Sequence, residues 1–152
     1  MVGRIAVMSI RPTYVARIMT GEKRIELRRQ RPRMSPGDLV VIYESAPQMA
    51  IAGAFVVRGI VSASVASMWR KHRRQLGIDA AAYRTYFDAR SLAHGIEFGR
   101  VISLPRVDLD ELRRRYPGFR APQSYMFWRD EWRLPQSWRE ALAVGFERRG
   151  RA

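Results

Sequence analysis

The chain has no cysteine and only two histidines among its 152 residues. The first absence excludes disulfides and thiolate metal centres, and the second leaves few ligands for a transition metal, so no metal and no other cofactor is expected. Long apolar runs are missing as well. Nothing approaches the ~20 residues needed to span a bilayer, and the N-terminus has neither the long apolar region nor the small-residue cleavage site of a signal peptide. No membrane role is therefore expected, and the reading places the chain in the cytoplasm. Gly-rich phosphate loops, paired-histidine metal helices and nucleophile elbows do not occur. Acidic residues are scarce: 14 Asp and Glu stand against 28 Lys and Arg, a formal charge of +14. So large an imbalance opposes compaction by self-repulsion and points to a polyanionic partner, with RNA or a nucleotide first among the candidates. A generally arginine-rich proteome is the competing explanation, because nearly all of the charge is arginine.

What is present suits one domain over residues 1–152, since the length and the 47% hydrophobic content allow one sizeable core. Ile5 to Ile10 reads as a buried strand ending at Arg11-Pro12, and Pro12 suits the first turn of a helix carrying Val15, Ile18 and Met19 on one face. Gly21 falls where a left-handed helix cap belongs. The next stretch, Gly21 to Arg28, alternates Ile25 and Leu27 with Arg24, Glu26 and Arg28, so a strand here buries one face and turns ionic groups to the other. An ordinary solvated strand face is the plain alternative. This doubling back of the chain brings Ser9 and Arg11 toward Lys23 and Glu26.

A basic loop follows from Arg31 to Gly37, then a strand from Leu39 to Tyr43 and a longer one from Ile51 to Val61. Gly53 and Gly59 interrupt the latter, as the bends of a tightly curved barrel require. The middle of the chain is helical. Ser64 is placed to cap a helix with Met68, Trp69, His72 and Leu76 on one face, while Arg70, Lys71, Arg73 and Arg74 lie elsewhere on a face that is either solvated or in contact with phosphates. Asp79 caps a second helix whose Tyr83, Tyr86 and Phe87 pack inward. A strand resumes from Ala93 to Leu104, and Asp108 with Glu111 opens a short helix that stops at Pro117-Gly118. Phe119 to Trp128 then combines Arg120, Gln123 and Ser124 with aromatics including Tyr125. That composition suits either stacking on an unpaired nucleotide or the core of a last strand. A helical extension from about residue 130 carries Trp132, Trp138, Leu142 and Phe146, and a frayed basic tail over 148–152 completes the chain.

In order and spacing these motifs resemble the ASCH domain family, a branch of the PUA-like superfamily. Met8-Ser9-Ile10-Arg11-Pro12 resembles the family's opening strand and helix start. Gly21, Lys23, Glu26 and Arg28 match its glycine-x-lysine-x-x-glutamate-x-arginine signature. Asp38 to Tyr43 with Ser45 and Pro47 resembles the next strand, and Ala121 to Tyr125 resembles the C-terminal proline-glutamine-serine-aromatic element. The resemblance runs from about residue 4 to residue 128. It implies an α+β fold, a small and mostly antiparallel β-barrel flanked by helices, with a cleft beside the first helix. It also implies binding of RNA or a modified nucleotide by Ser9, Arg11, Lys23, Glu26, Arg28, Tyr43, Ser45, Arg120, Gln123, Ser124 and Tyr125. Some relatives are hydrolases, cleaving single-stranded RNA or removing the acyl group of N4-acetylcytidine, and an enzyme here would use Lys23, Glu26 and Ser124. The amidohydrolase pattern needs a threonine where Glu26 stands and a glutamate between His72 and Ile78, where this chain has none.

Overall fold

The structure is a computed structural model that describes residues 3–147. The tail expected to fray, with Arg148, Arg149 and Arg151, lies outside the described residues. Among the described residues the elements run β1 (Ile5–Ile10), α1 (Pro12–Thr20), β2 (Ile25–Arg28), β3 (Leu39–Glu44), β4 (Ala50–Ser64), α2 (Val65–His72), α3 (Ala80–Tyr86), β5 (Leu92–Asp108), α4 (Leu109–Arg115), β6 (Tyr125–Phe127) and α5 (Gln136–Glu147). A 3-10 turn, Arg73–Gln75, follows α2. The strands form one sheet in the order β2-β5-β4-β3-β1-β6. Among the described residues only the β1–β3 pair is parallel, with Ser9 opposite Tyr43. The sheet is therefore α+β and mostly antiparallel as expected, but it stays open, with β2 and β6 as its two ends.

Curvature comes from the long β4–β5 ribbon, whose register shifts between Ile51 and Gly53, Phe55 and Val57, and Val57 and Gly59. At Gly53 a β-carbon would stand 2.7 Å from the Ile102 carbonyl oxygen, so glycine lets the strands approach where the ribbon bends. The far half of β5 continues past that bend to pair with β2, Glu26 lying opposite Ile96. Bending takes the place of closure.

β1 and β3 are buried on both faces, which is why they read as continuous apolar runs rather than alternating ones. Val7, Leu39, Val41 and Tyr43 pack into a core with the aromatic groups Tyr116, Phe119, Trp128, Trp132 and Trp138 beneath α4 and α5. Ala6, Met8, Ile10, Val40 and Ile42 pack on the other side with Val15 and Ile18 of α1 and the stacked Phe55–Phe98 pair. A third cluster sets Ile25 and Leu27 of β2 against Met68, Leu76, Tyr83 and Phe87. The helix ends are built as the sequence indicated: the Ser64 hydroxyl accepts from the Ser67 N–H, Asp79 accepts from Ala82 and Asp108 from Glu111. Among the described residues no helix is long and apolar enough to cross a membrane.

Candidate functional site

The site begins with the way α1 ends. Gly21, at φ +86°, donates its N–H to the Ile18 carbonyl, and the chain turns at once into β2. Ile25 and Leu27 face the α2–α3 cluster, so Glu26 and Arg28 project to the other side. That side is not a solvated face: Glu26 is 7% exposed and Lys23, just before the strand, only 2%. Both border a cavity of about 870 Å³, a size suited to a nucleotide-class ligand.

Arg28 ties the wall together. Its guanidinium donates to the Ser9 carbonyl at 3.0 Å and to the Ser124 hydroxyl at 3.2 Å, and it stands 3.7 Å from Glu26 Oε1. The Ser9 hydroxyl in turn donates to the Pro122 carbonyl at 2.5 Å, fixing the Pro122–Tyr125 segment against β1. Two atoms here lack partners: Glu26 Oε2, an acceptor, and Arg28 Nε, a donor, are both buried and unpaired. Buried polar atoms are nearly always satisfied, so an unpaired acceptor and an unpaired donor in one wall are groups that a ligand or a water would meet.

Lys23 Nζ donates to the Leu76 carbonyl at 2.5 Å and lies 5.2 Å from the centre of the Tyr14 ring. Burial pushes its pKa below the ordinary 10.5; the Glu26 charge opposes this, while Arg28 and Arg17 add to it. Desolvation therefore outweighs the attraction of the Glu26 charge. Between His72 and Ile78, where the amidohydrolase pattern needs a glutamate, the group that meets Lys23 is the Leu76 carbonyl.

Ser9, Arg11, Lys23, Glu26, Arg28, Ser45, Gln123, Ser124 and Tyr125 all line this one cavity. Tyr43 does not. It is 3% exposed in the α4–α5 core, where burial pushes its hydroxyl pKa up and nearby Arg113 opposes that shift. The strand register explains the miss, because successive side chains of β3 face opposite sides of the sheet. Arg120 is exposed and stands outside the cavity lining.

The sequence reading passed over Tyr14, Tyr86, Arg29 and Arg90, which also line the cavity. The helical spacing predicts Tyr86 inward with Tyr83 and Phe87. Its ring does make an edge contact with Phe87, but its hydroxyl donates to the Leu27 carbonyl at 3.1 Å and Arg29 lies 4.5 Å over its face. The signal available in sequence was the hydroxyl itself, since a buried tyrosine needs a partner for it. Replacing Tyr86 with phenylalanine is expected to lower stability by ~1 kcal/mol, the worth of one hydrogen bond, as read by urea unfolding.

Arg11, Lys23, Arg28, Arg29, Arg31, Arg33 and Arg90 line the cavity, against Glu26 as the one carboxylate in that lining. Among the described residues no group of three or more His, Cys, Asp or Glu side chains is placed to hold a metal ion.

Comparison with known proteins agrees with this architecture. The chain is 27% identical over 126 residues to an ASCH domain-containing ribonuclease of Zymomonas mobilis, a match covering 83% of this chain and 85% of that one. The crystal structure of ASCH from Zymomonas mobilis superposes with a TM-score of 0.80 at 25% identity, covering 93% of this chain and 94% of the other. A tyrosine-to-phenylalanine variant of that protein gives 0.78 at 23% identity, covering 93% and 98%. The ASCH domain model matches residues 8–102, which takes in the end of the first strand, the Lys23–Arg28 signature and most of the sheet. The chain belongs to the ASCH domain family.

Proposed function

We propose that this protein binds single-stranded RNA in the Lys23–Glu26–Arg28 cavity and cleaves it. The observation that carries the reading is the unpartnered Glu26 Oε2, buried in the same cavity wall as an unpartnered Arg28 Nε and as Lys23, whose pKa burial lowers. The relative of Zymomonas mobilis named as a ribonuclease supports it, as does the arginine-rich lining.

In this reading Glu26 Oε2 accepts the proton of a ribose 2′-hydroxyl while that oxygen attacks the adjacent phosphorus. Arg28 and the Ser124 hydroxyl bind the phosphorane oxygens, where charge accumulates. The bond from phosphorus to the 5′-oxygen then breaks, and Lys23 gives that oxygen a proton. The products are a 2′,3′-cyclic phosphate and a 5′-hydroxyl. Lys23 suits the last step because its lowered pKa makes the ammonium a stronger acid than a solvated lysine, and two N–H groups remain after the one spent on Leu76.

The test is a 5′-labelled single-stranded RNA incubated with wild type and with Glu26→Gln. Cleavage by wild type is expected, slowed ~10²-fold or more by the substitution, and a single 2′-deoxy position should block scission at the following phosphate. Cleavage that proceeds through a 2′-deoxy site would overturn the mechanism. RNA held in the cavity but never cut would leave recognition as the function.

A further inference from the structure

We propose that the basic segment Arg70–Arg74 carries the phosphate backbone of the bound RNA beyond the cavity, so that the protein engages a strand longer than the cavity can hold. This rests on the RNA reading above and extends it from a site to a track.

Arg70, Lys71, Arg73 and Arg74 are all exposed, and the whole stretch Val65–Ile78 contains no carboxylate. None of the ion pairs among the described residues involves these four cations. Like charges crowded into two turns repel one another, and a polyanion relieves that repulsion. The helix dipole accounts for part of the arrangement, since Arg70 and Lys71 stand in the last turn of α2. Arg73 caps α2 and shares that explanation, whereas Arg74 lies past the cap in the 3-10 turn.

Position gives the cations their role. The opposite face of the segment is anchored by Met68 and Leu76, each 0% exposed, so the cations sit on a fixed platform rather than a floppy tail. The segment also runs straight into the cavity wall: the Leu76 carbonyl holds Lys23, the Gly77 carbonyl accepts from Arg17 at 2.8 Å, and Ile78 is part of the lining. At a rise of ~2 Å per residue in a 3-10 turn, Arg73 is about 6 Å along the chain from Leu76. The four cations lie outside the cavity lining, and the segment that carries them reaches it at Ile78.

The experiment compares wild type with the triple variant Lys71→Gln, Arg73→Gln, Arg74→Gln by fluorescence anisotropy. The probes are a 4-mer and a 16-mer of 2′-fluoro RNA, which lack the attacking hydroxyl and survive the measurement. Wild type should bind the 16-mer more tightly and with the steeper salt dependence. The variant should bind the 4-mer as wild type does, while its salt slope for the 16-mer falls by about 2, at ~0.7 for each lost phosphate contact. Between 200 and 50 mM salt that difference amounts to about twentyfold in affinity. An unchanged 16-mer slope in the variant would overturn the track and leave the cavity reading intact. Failure of wild type to bind the 4-mer, together with failure to cleave the same 4-mer of unmodified RNA, would overturn the cavity reading, and the track with it.

Discussion

Replacing Lys23 with methionine is expected to reduce RNA cleavage by ~10²–10⁴-fold while leaving the protein more stable at neutral pH than the wild type. Both halves follow from the burial of this side chain, which is 2% exposed and whose pKa is depressed by desolvation above all. Because the folded-state value lies below the 10.5 of a free lysine, the unfolded chain binds more protons in the window between the two. Stability of the wild type therefore rises with pH across that window, and the cost of the buried charge is fully present below it. Methionine carries no proton and fills a similar volume. Its advantage in urea unfolding should be largest at neutral and acid pH, shrink as the pH climbs toward 10.5, and then reverse, because the Leu76 carbonyl has lost its donor. Wild-type activity should fall on the alkaline side at a pH below 10.5, as Lys23 loses the proton it delivers. A variant less stable than wild type at pH 7, with the gap unaffected by pH, would show that Lys23 is held for structure rather than chemistry.

Such an exchange of stability for a reactive group accounts for what could be read from sequence and what could not. Local rules recovered the elements well. Pro12, Gly21, Ser64, Asp79 and Asp108 each mark a helix boundary by a mechanism confined to a few residues, and each is where the structure uses it. The strands were legible for the same reason, including the bends of β4 at its glycines. Sheet closure was not, because glycines in a strand announce curvature without fixing how far it goes. At the site, the period-2 alternation placed Glu26 and Arg28 on one face, but nothing local could reveal that this face is buried. That depends on Ser9, Ser124 and Tyr86, which join it from distant parts of the chain. Tyr43 shows the same limit from the other direction. Its neighbourhood in sequence resembles the family's strand, yet the parity of β3 sends its ring to the far core. Arg120 shares a segment with Gln123 and Ser124, which line the cavity while it does not.

The least legible residue with a large role is Gly77, and its replacement by alanine is the second strong prediction. Gly77 has φ +56°, a conformation that costs a residue with a β-carbon roughly 1–2 kcal/mol. The added β-carbon would also stand 2.5 Å from Lys23 Cβ and 2.9 Å from its Cγ, closer than such atoms can sit. Relief requires the Leu76–Ile78 turn or the Lys23 stem to shift, and overpacking of this kind costs about 1–3 kcal/mol more. Gly21 supplies the internal comparison. Its φ of +86° imposes the same backbone cost, but a β-carbon there would meet nothing within 4 Å. Gly21→Ala should therefore lower stability by ~1–2 kcal/mol, whereas Gly77→Ala should lower it by ~2–5 kcal/mol. The two variants are compared by urea unfolding under one set of conditions. Gly77→Ala should in addition lose cleavage at temperatures where it is fully folded, since the same shift moves Lys23 Nζ away from the Leu76 carbonyl and from the reacting phosphate. Equal losses of stability in the two variants would mean that the turn yields without disturbing Lys23, and that backbone conformation alone selects glycine at residue 77.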